Sequence, residues 1–286
     1  MEVLAVILAR AGSVGLKNKH LQLLCGKPVI EYTFDHAMSA RSITRIVVST
    51  DCPGVTRFAR ARGLQVIARP PALATADASV QDAMLHAMES VESKTPDPFD
   101  FKRERITGTG AVLSGELTGT GAVLSSGEQL TGTRAVHSLE PDFVADALVV
   151  LYGNVPVRGG DVIDRAVDLL QSTRCDSVRS FCPVGKWHPA WMSKLDGDVV
   201  QPLNANSIHR RQDLEPVYLH DGAVVAVSRE SMLRGKSNPG DPHAFFGVDR
   251  RGIRTEPGET LEIDHLRDLY QAEAILRDRQ TEARAA

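Results

Sequence analysis

The chain has 286 residues, of which 42% are hydrophobic and 24% charged, enough to bury one large core with or without an excursion from it. Thirty-three Lys and Arg against 36 Asp and Glu give a net charge of −3, which argues against broad nucleic-acid binding and favours a small anionic ligand at a local basic site. Cys25, Cys52, Cys175 and Cys182 form no C-x-x-C pair and no zinc spacing with the nine histidines, so free thiols in a reducing cytoplasm are expected.

Residues 3–9 form a continuous apolar run with a β-branched bias, the pattern of a strand buried on both faces of a parallel sheet. No basic region precedes the run and it is too short to cross a membrane, so it reads as neither a secretion signal nor an anchor. A small-residue loop follows, with Ala11, Gly12, Ser13 and Gly15 between the cations Arg10 and Lys19. Several backbone N–H groups can converge on an anion in such a loop while the two cations supply charge, which outlines a triphosphate cradle. An ordinary βα turn with two solvated cations fits the same residues. The loop matches neither G-x-G-x-x-G nor G-x-x-x-x-G-K-[ST].

Helical spacing then appears over 27–38, a buried strand over 45–50 ending at Asp51, a helix over 55–62, a strand over 64–68, a helix over 79–91 and a strand over 147–152. Strands alternating with helices imply a parallel sheet with right-handed crossovers and ligands beyond the carboxyl ends of the strands. Arg10, Asp51 and the loop after Leu151 all fall at such ends. Between them, residues 106–140 contain three near-copies of a Thr-Gly-Thr unit followed by Ala-Val, rich in Gly, Ser and Thr. These units bury too little apolar surface to build a solenoid, so a surface insertion is expected. A second phosphate site at Thr-Gly-Thr-Gly is disfavoured, since no helix start follows it.

Near the C-terminus, residues 260–276 pass from a strand-like start to helical periodicity. Glu262 and Asp264, one residue apart on an extended segment, point to the same side and suit a hard cation such as Mg²⁺. Asp264 could equally cap the helix that follows. Beside a phosphate loop the metal reading gains weight, because magnesium and triphosphate act together.

Six segments in this order, Ile7-Leu-Ala-Arg-Ala-Gly-Ser-Val-Gly-Leu-Lys-Asn-Lys19, Val47-Val-Ser-Thr-Asp51, Arg69-Pro-Pro-Ala-Leu-Ala74, Arg211-Gln-Asp-Leu-Glu-Pro-Val-Tyr218, Asp221-Gly-Ala223 and Leu261-Glu-Ile-Asp264, resemble the acylneuraminate cytidylyltransferases. The resemblance covers nearly the whole chain outside the repeats. It implies a Rossmann-like α/β nucleotidyltransferase fold over 1–286, with a mostly parallel sheet, flanking helices, and a small sugar-binding and dimerisation excursion at about 185–225. It also implies transfer of CMP from CTP to a 2-keto sugar acid, a Mg²⁺ cofactor, a cytoplasmic homodimer, and no nucleic-acid or membrane partner.

Carried over by position, the resemblance implies catalytic roles for Arg10, Lys19 and Asp264, and nucleotide contacts at Ala9, Arg10, Gly12, Ser13, Lys19, Arg69 and Ser79. It implies sugar contacts at Tyr152, Asn154, Arg158, Arg211 and Gln212, and metal ligation by Glu262 and Asp264. A guanidinium fork at Arg211 suits a carboxylate, although an exposed or interface pair fits Arg211 and Gln212 as well. Several positions depart from the family pattern: Val14 stands where a Lys is expected, His20 for Asn, Tyr152 for Gln, Glu262 for Asp, and Asp221 for Asn. These departures leave two further expectations, a nucleotide-binding homologue with impaired catalysis, or a different acceptor such as 3-deoxy-manno-octulosonate. The last normally goes with a basic-Pro-Gly-Lys first loop, which this chain lacks. Tyr152-Gly-Asn-Val-Pro156 also resembles a Tyr-Gly-Asp-Val-Pro loop of sugar-phosphate nucleotidyltransferases, in which the acidic position binds metal.

Overall fold

The computed structural model describes residues 1–12, 15–93, 143–205, 207–238 and 240–285. The repeat segment 106–140, with the insertion and second-phosphate readings attached to it, lies outside them, as do Ser13 and Val14.

The apolar runs become strands where expected. Strand β1 spans Val3–Leu8, and β2 (Leu23–Leu24) and β3 (Lys27–Pro28) make a small hairpin, after which Pro28 leads into helix α1 (Val29–Ser39). Then come β4 (Arg45–Thr50), α2 (Pro53–Ala61), β5 (Gln65–Ala68), α3 (Val80–Glu92), β6 (Ala147–Tyr152) and α4 (Val162–Thr173). The later part holds β7 (Ser177–Pro183), the hairpin β8 (Ser193–Asp196) and β9 (Val199–Pro202), β10 (Tyr218–Ser228), α5 (Arg229–Lys236), β11 (Arg250–Arg254) and α6 (Leu266–Ala285).

Seven strands form the central sheet in the order β11-β7-β10-β6-β1-β4-β5. All neighbours pair in parallel except β10, which runs antiparallel to both β6 and β7. The sheet is therefore mostly parallel, as expected. Both faces are covered, which explains the continuous apolar runs. Val3, Ala5 and Ile7 of β1 face a core built with α1, α2 and α4, while Leu4, Val6 and Leu8 face one built with α3 and α5. The period-2 alternation of β1 thus divides between two hydrophobic layers rather than between core and solvent.

The excursion expected at about 185–225 is narrower. Residues 185–217 leave the sheet and carry β8 and β9, whose eight residues are all exposed, whereas 218–225 belong to β10 inside the sheet. All four cysteines are free thiols. Among the described residues, no helix is long and apolar enough to cross a membrane.

Candidate functional site

At the carboxyl end of β1 the chain is pinned to its neighbour before it turns. Ala9 N–H donates to the Ser49 carbonyl (3.1 Å), Thr50 Oγ1 donates to the Ala9 carbonyl (2.5 Å), and Ala11 N–H donates to Asp51 Oδ1 (2.7 Å). Asp51 is thereby used to hold the loop. Arg10 projects from it half-buried, and its guanidinium makes no hydrogen bond or ion pair among the described residues. The loop returns through Asn18, in the left-handed region at φ 51°, into a single 3-10 turn, Lys19–Leu21.

That return brings the two ends of the chain together. Lys19 Nζ lies 2.9 Å from Asp264 Oδ1. A Cβ added to Gly15 would sit 2.4 Å from the Asp264 carbonyl oxygen and 3.2 Å from His265 Nδ1, so only glycine permits this approach.

The segment 261–264 is extended, as its sequence predicts. Leu261 N–H donates to the Val157 carbonyl (3.1 Å) and Ile263 N–H to the Asn154 carbonyl (2.8 Å). Ile263 is fully buried against Leu24, Val29 and Val157, which sends Glu262 and Asp264 to the opposite side together. Asn154 Nδ2 spans them, donating to Glu262 Oε1 (2.9 Å), the Ile263 carbonyl (2.9 Å) and, more weakly, Asp264 Oδ1 (3.5 Å). The helix-cap reading of Asp264 fails. Its Oδ1 meets Lys19 and Asn154 instead, while Asp268, the third residue of α6, reaches back with Oδ2 to accept from the N–H groups of Asp264 (2.9 Å) and His265 (2.7 Å) just before the helix.

One oxygen of each carboxylate makes no hydrogen bond among the described residues: Glu262 Oε2, which faces Gly222, and Asp264 Oδ2. No cluster of three or more His, Cys, Asp or Glu side chains suited to a metal occurs among the described residues. Two carboxylates would leave a bound cation to take most of its ligands from water and phosphate, as magnesium commonly does, while Asn154 presents its donor Nδ2 to them rather than a ligand oxygen. They do not fit a caged structural metal.

Between these ends lies a cavity of about 160 Å³, lined by Arg10, Lys19, His20, Arg69, Ser79, Tyr152, Asn154 and Glu262 among others. Arg69 forms its inner wall, with Nε donating to Ser49 Oγ (3.1 Å) and a terminal nitrogen to the Ser49 carbonyl (2.8 Å). Burial pushes its pKa down to about 10, with Arg10 adding to the effect, so Arg69 stays charged at neutral pH. Ser79 caps α3, its Oγ accepting from Asp82 N–H (3.0 Å). Tyr152 is raised above the usual phenol range by burial first and by Glu262 second. Gly222, at φ 75° in the irregular part of β10, lets Tyr152 and Glu262 close over that strand. Asp221 beside it is occupied by Thr255 Oγ1 (2.6 Å), Ser180 Oγ and Ala223 N–H, so it stabilises the bend rather than meeting a ligand.

Three expected sugar ligands do not join the site. Arg158 is fully buried, donating from Nε to the Ala223 carbonyl (2.7 Å) and pairing a terminal nitrogen with His36 Nδ1 (2.9 Å); burial lowers its pKa to about 9. Its fork is spent on the fold. Arg211 and Gln212 sit in an exposed 3-10 turn of the excursion and do not line the cavity. Conversely, His20 is a cavity residue whose burial the sequence did not signal. It is 5% exposed, with its pKa lowered to about 3 by burial and then by Lys19, Arg69 and Arg10, so it is a neutral imidazole among three cations.

Residues 4–118 match a family model described as cytidylyltransferase. The chain is 27% identical over 241 residues to an N-acylneuraminate cytidylyltransferase of Streptococcus agalactiae serotype V, covering 83% of this chain and 46% of that protein. It is 25% identical over 245 residues to a CMP-N,N'-diacetyllegionaminic acid synthase of Legionella pneumophila, covering 85% and 84% of the two chains. The chain thus spans about half the length of the first relative. Its fold is similar to that of a CMP:2-keto-3-deoxy-manno-octonic acid synthetase solved with CTP, with TM-score 0.63 at 16% identity over 98% of this chain and 100% of the other.

Proposed function

We propose that this chain, whose residues 4–118 match a cytidylyltransferase model, transfers CMP from CTP to the anomeric hydroxyl of a 2-keto sugar acid of the nonulosonate class, releasing pyrophosphate. The observation that carries this reading is the meeting of the Arg10–Lys19 loop with Glu262 and Asp264 across one cleft, at the strand ends where α/β sheets bind ligands. Three cations, Arg10, Lys19 and Arg69, face a cavity in which, among the described residues, only Lys19 forms an ion pair with a carboxylate. An anion of high charge completes that balance.

The reaction is attack of the sugar hydroxyl on the α-phosphorus, in line with departing pyrophosphate. Charge spreads over the phosphate oxygens as the bond to pyrophosphate breaks, and fixed cations lower that barrier without reorganising. Arg10 and Lys19 hold the triphosphate from the loop side and Arg69 from beneath. Asp264, with one oxygen held by Lys19 and the other unpartnered, is assigned the proton of the attacking hydroxyl. Magnesium held by Glu262, Asp264 and the phosphates would add neutralising charge on the departing pyrophosphate.

Assembly as a homodimer is proposed from the excursion. An isolated two-stranded hairpin is marginal in water, yet β8 and β9 present Leu195 (72% exposed), Val200 (62%) and Val199 (56%) to solvent, with Trp187 (68%) nearby. A second copy covering these residues accounts for them.

Incubation with CTP, Mg²⁺ and a panel of nonulosonic acids and 3-deoxy-manno-octulosonate tests the function. Pyrophosphate release that needs both CTP and one of the acids supports it, and the productive acid names the acceptor. CTP binding by calorimetry with no release across the panel points instead to a nucleotide-binding homologue without catalysis.

A further inference from the structure

Within one chain neither Arg158 nor Arg211 reaches the cavity, and the sheet offers another cation for the acceptor's carboxylate. Nucleotide-side residues follow β1 (Arg10), β4 (Asp51) and β5 (Arg69), so the acceptor lies over β6, β10 and β7. On that half, Val150 of β6, Val225 of β10 and Arg179 of β7 stand in register on one face, and Tyr152 lies two residues further along β6 on the same face. Two strand spacings separate β6 from β7, about 10 Å, a gap that an arginine and a tyrosine side chain close from both sides.

Arg179 is held rather than paired. Its guanidinium lies 4.5 Å over the Phe246 ring and 5.2 Å over Phe181, and it makes no hydrogen bond or ion pair among the described residues. Arg250 approaches the same Phe246 ring at 5.9 Å, and His243 stacks on it at 5.8 Å. Arg250 has no carboxylate partner among the described residues either, its Nε donating to the Gly247 carbonyl (2.7 Å). Nearby carboxylates are engaged: Asp176 by Arg234 and two backbone N–H groups, and Asp221 by Ser180 and Thr255. Burial and the neighbouring Arg250 lower the Arg179 pKa, with Tyr152 acting the other way. Two like charges brought to one ring without a counter-ion cost free energy until an anion arrives.

We propose that Arg179, seated on Phe181 and Phe246 beside Tyr152, receives the carboxylate of the sugar-acid acceptor, with Arg250 as the second cation behind it. The inference rests on the function proposed above. A guanidinium pre-oriented on aromatic faces offers a planar fork to a carboxylate at little entropic cost, which a lysine at this position would not reproduce.

The test is steady-state kinetics of R179Q and R179K with CTP and the productive acid, beside the methyl ester of the same acid. For R179Q the acceptor KM is expected to rise about 10- to 100-fold while the CTP KM stays within about twofold, with R179K between it and the wild type. On the ester, R179Q and the wild type should be equal, because the group that Arg179 meets is gone. An unchanged acceptor KM, or the same loss on acid and ester, overturns the inference and leaves the parent function standing on wild-type turnover. If R179Q does not fold, the acid-to-ester comparison in R179K decides it alone. Absence of wild-type turnover with every acid removes the parent function, and this inference with it.

Discussion

At the scale of single residues, close approach and burial decide what each side chain is free to do. Gly15 is required by contact, since a Cβ there meets the Asp264 backbone at 2.4 Å. G15A should therefore push the loop off the carboxylates and lower kcat/KM about 100-fold with only a small change in melting temperature, and wild-type kinetics for G15A would contradict the contact. Arg158 illustrates the opposite case. R158M leaves the Ala223 carbonyl and His36 without their partner in the core, so urea denaturation should show a loss of about 2–4 kcal/mol, while the acceptor KM of the folded fraction stays at the wild-type value. A raised KM at unchanged stability would restore Arg158 to the sugar site. The sequence alone could not separate Arg158 from Arg179. Both are arginines among apolar and small neighbours, and what distinguishes them is the buried His36 and carbonyl around one and the aromatic seat under the other.

Elements differ in how openly the sequence declares them. Strands β1, β4 and β6 are legible because both faces are covered, which leaves unbroken apolar runs, and Glu262 and Asp264 are legible because period-2 spacing needs no partner to be read. Edge strand β11 is hidden: four of its five residues are exposed and only Ile253 is buried. The antiparallel entry of β10 is hidden too, since its irregular region at Asp221 and Gly222 is set by Ser180 of β7 and by Thr255 just beyond β11. Helix α6 shows the same limit, because spacing could not tell whether Asp264 caps it or turns to Lys19. For the excursion, a prediction follows from exposure. Replacing Leu195 with Asp and Val200 with Lys should halve the mass measured by light scattering after gel filtration, while the melting temperature of the core changes little. A wild-type monomer, or an unchanged mass in the variant, would contradict the dimer.

For the whole molecule, pH dependence reports how much charge the fold refuses. His20 and His36 have folded pKa values of about 3 against 6.5 unfolded, both through burial first, with Lys19 next for His20 and Arg158 next for His36. Between those values the unfolded chain takes up protons that the folded one excludes. Stability is therefore full above about pH 6.5 and falls as pH drops towards 3, by about 1.4 kcal/mol per pH unit for each histidine at the steepest. Urea denaturation at pH 7 and pH 5 should show this fall, and H36Q should reduce its slope by about half. An equal slope in H36Q would mean that His36 titrates normally in the folded state.

Molecular shape serves one end: the sheet carries the N-terminal loop and the C-terminal carboxylates to the same edge, where Lys19 and Asp264 touch. The most direct measurement is ³¹P NMR of CTP with Mg²⁺ and the panel of sugar acids in the presence of the folded protein. A CMP-sugar phosphodiester signal growing in one-to-one ratio with pyrophosphate is predicted, and it should be lost in K19M. Unaltered CTP with every acid, or a phosphodiester signal undiminished in K19M, would contradict the account.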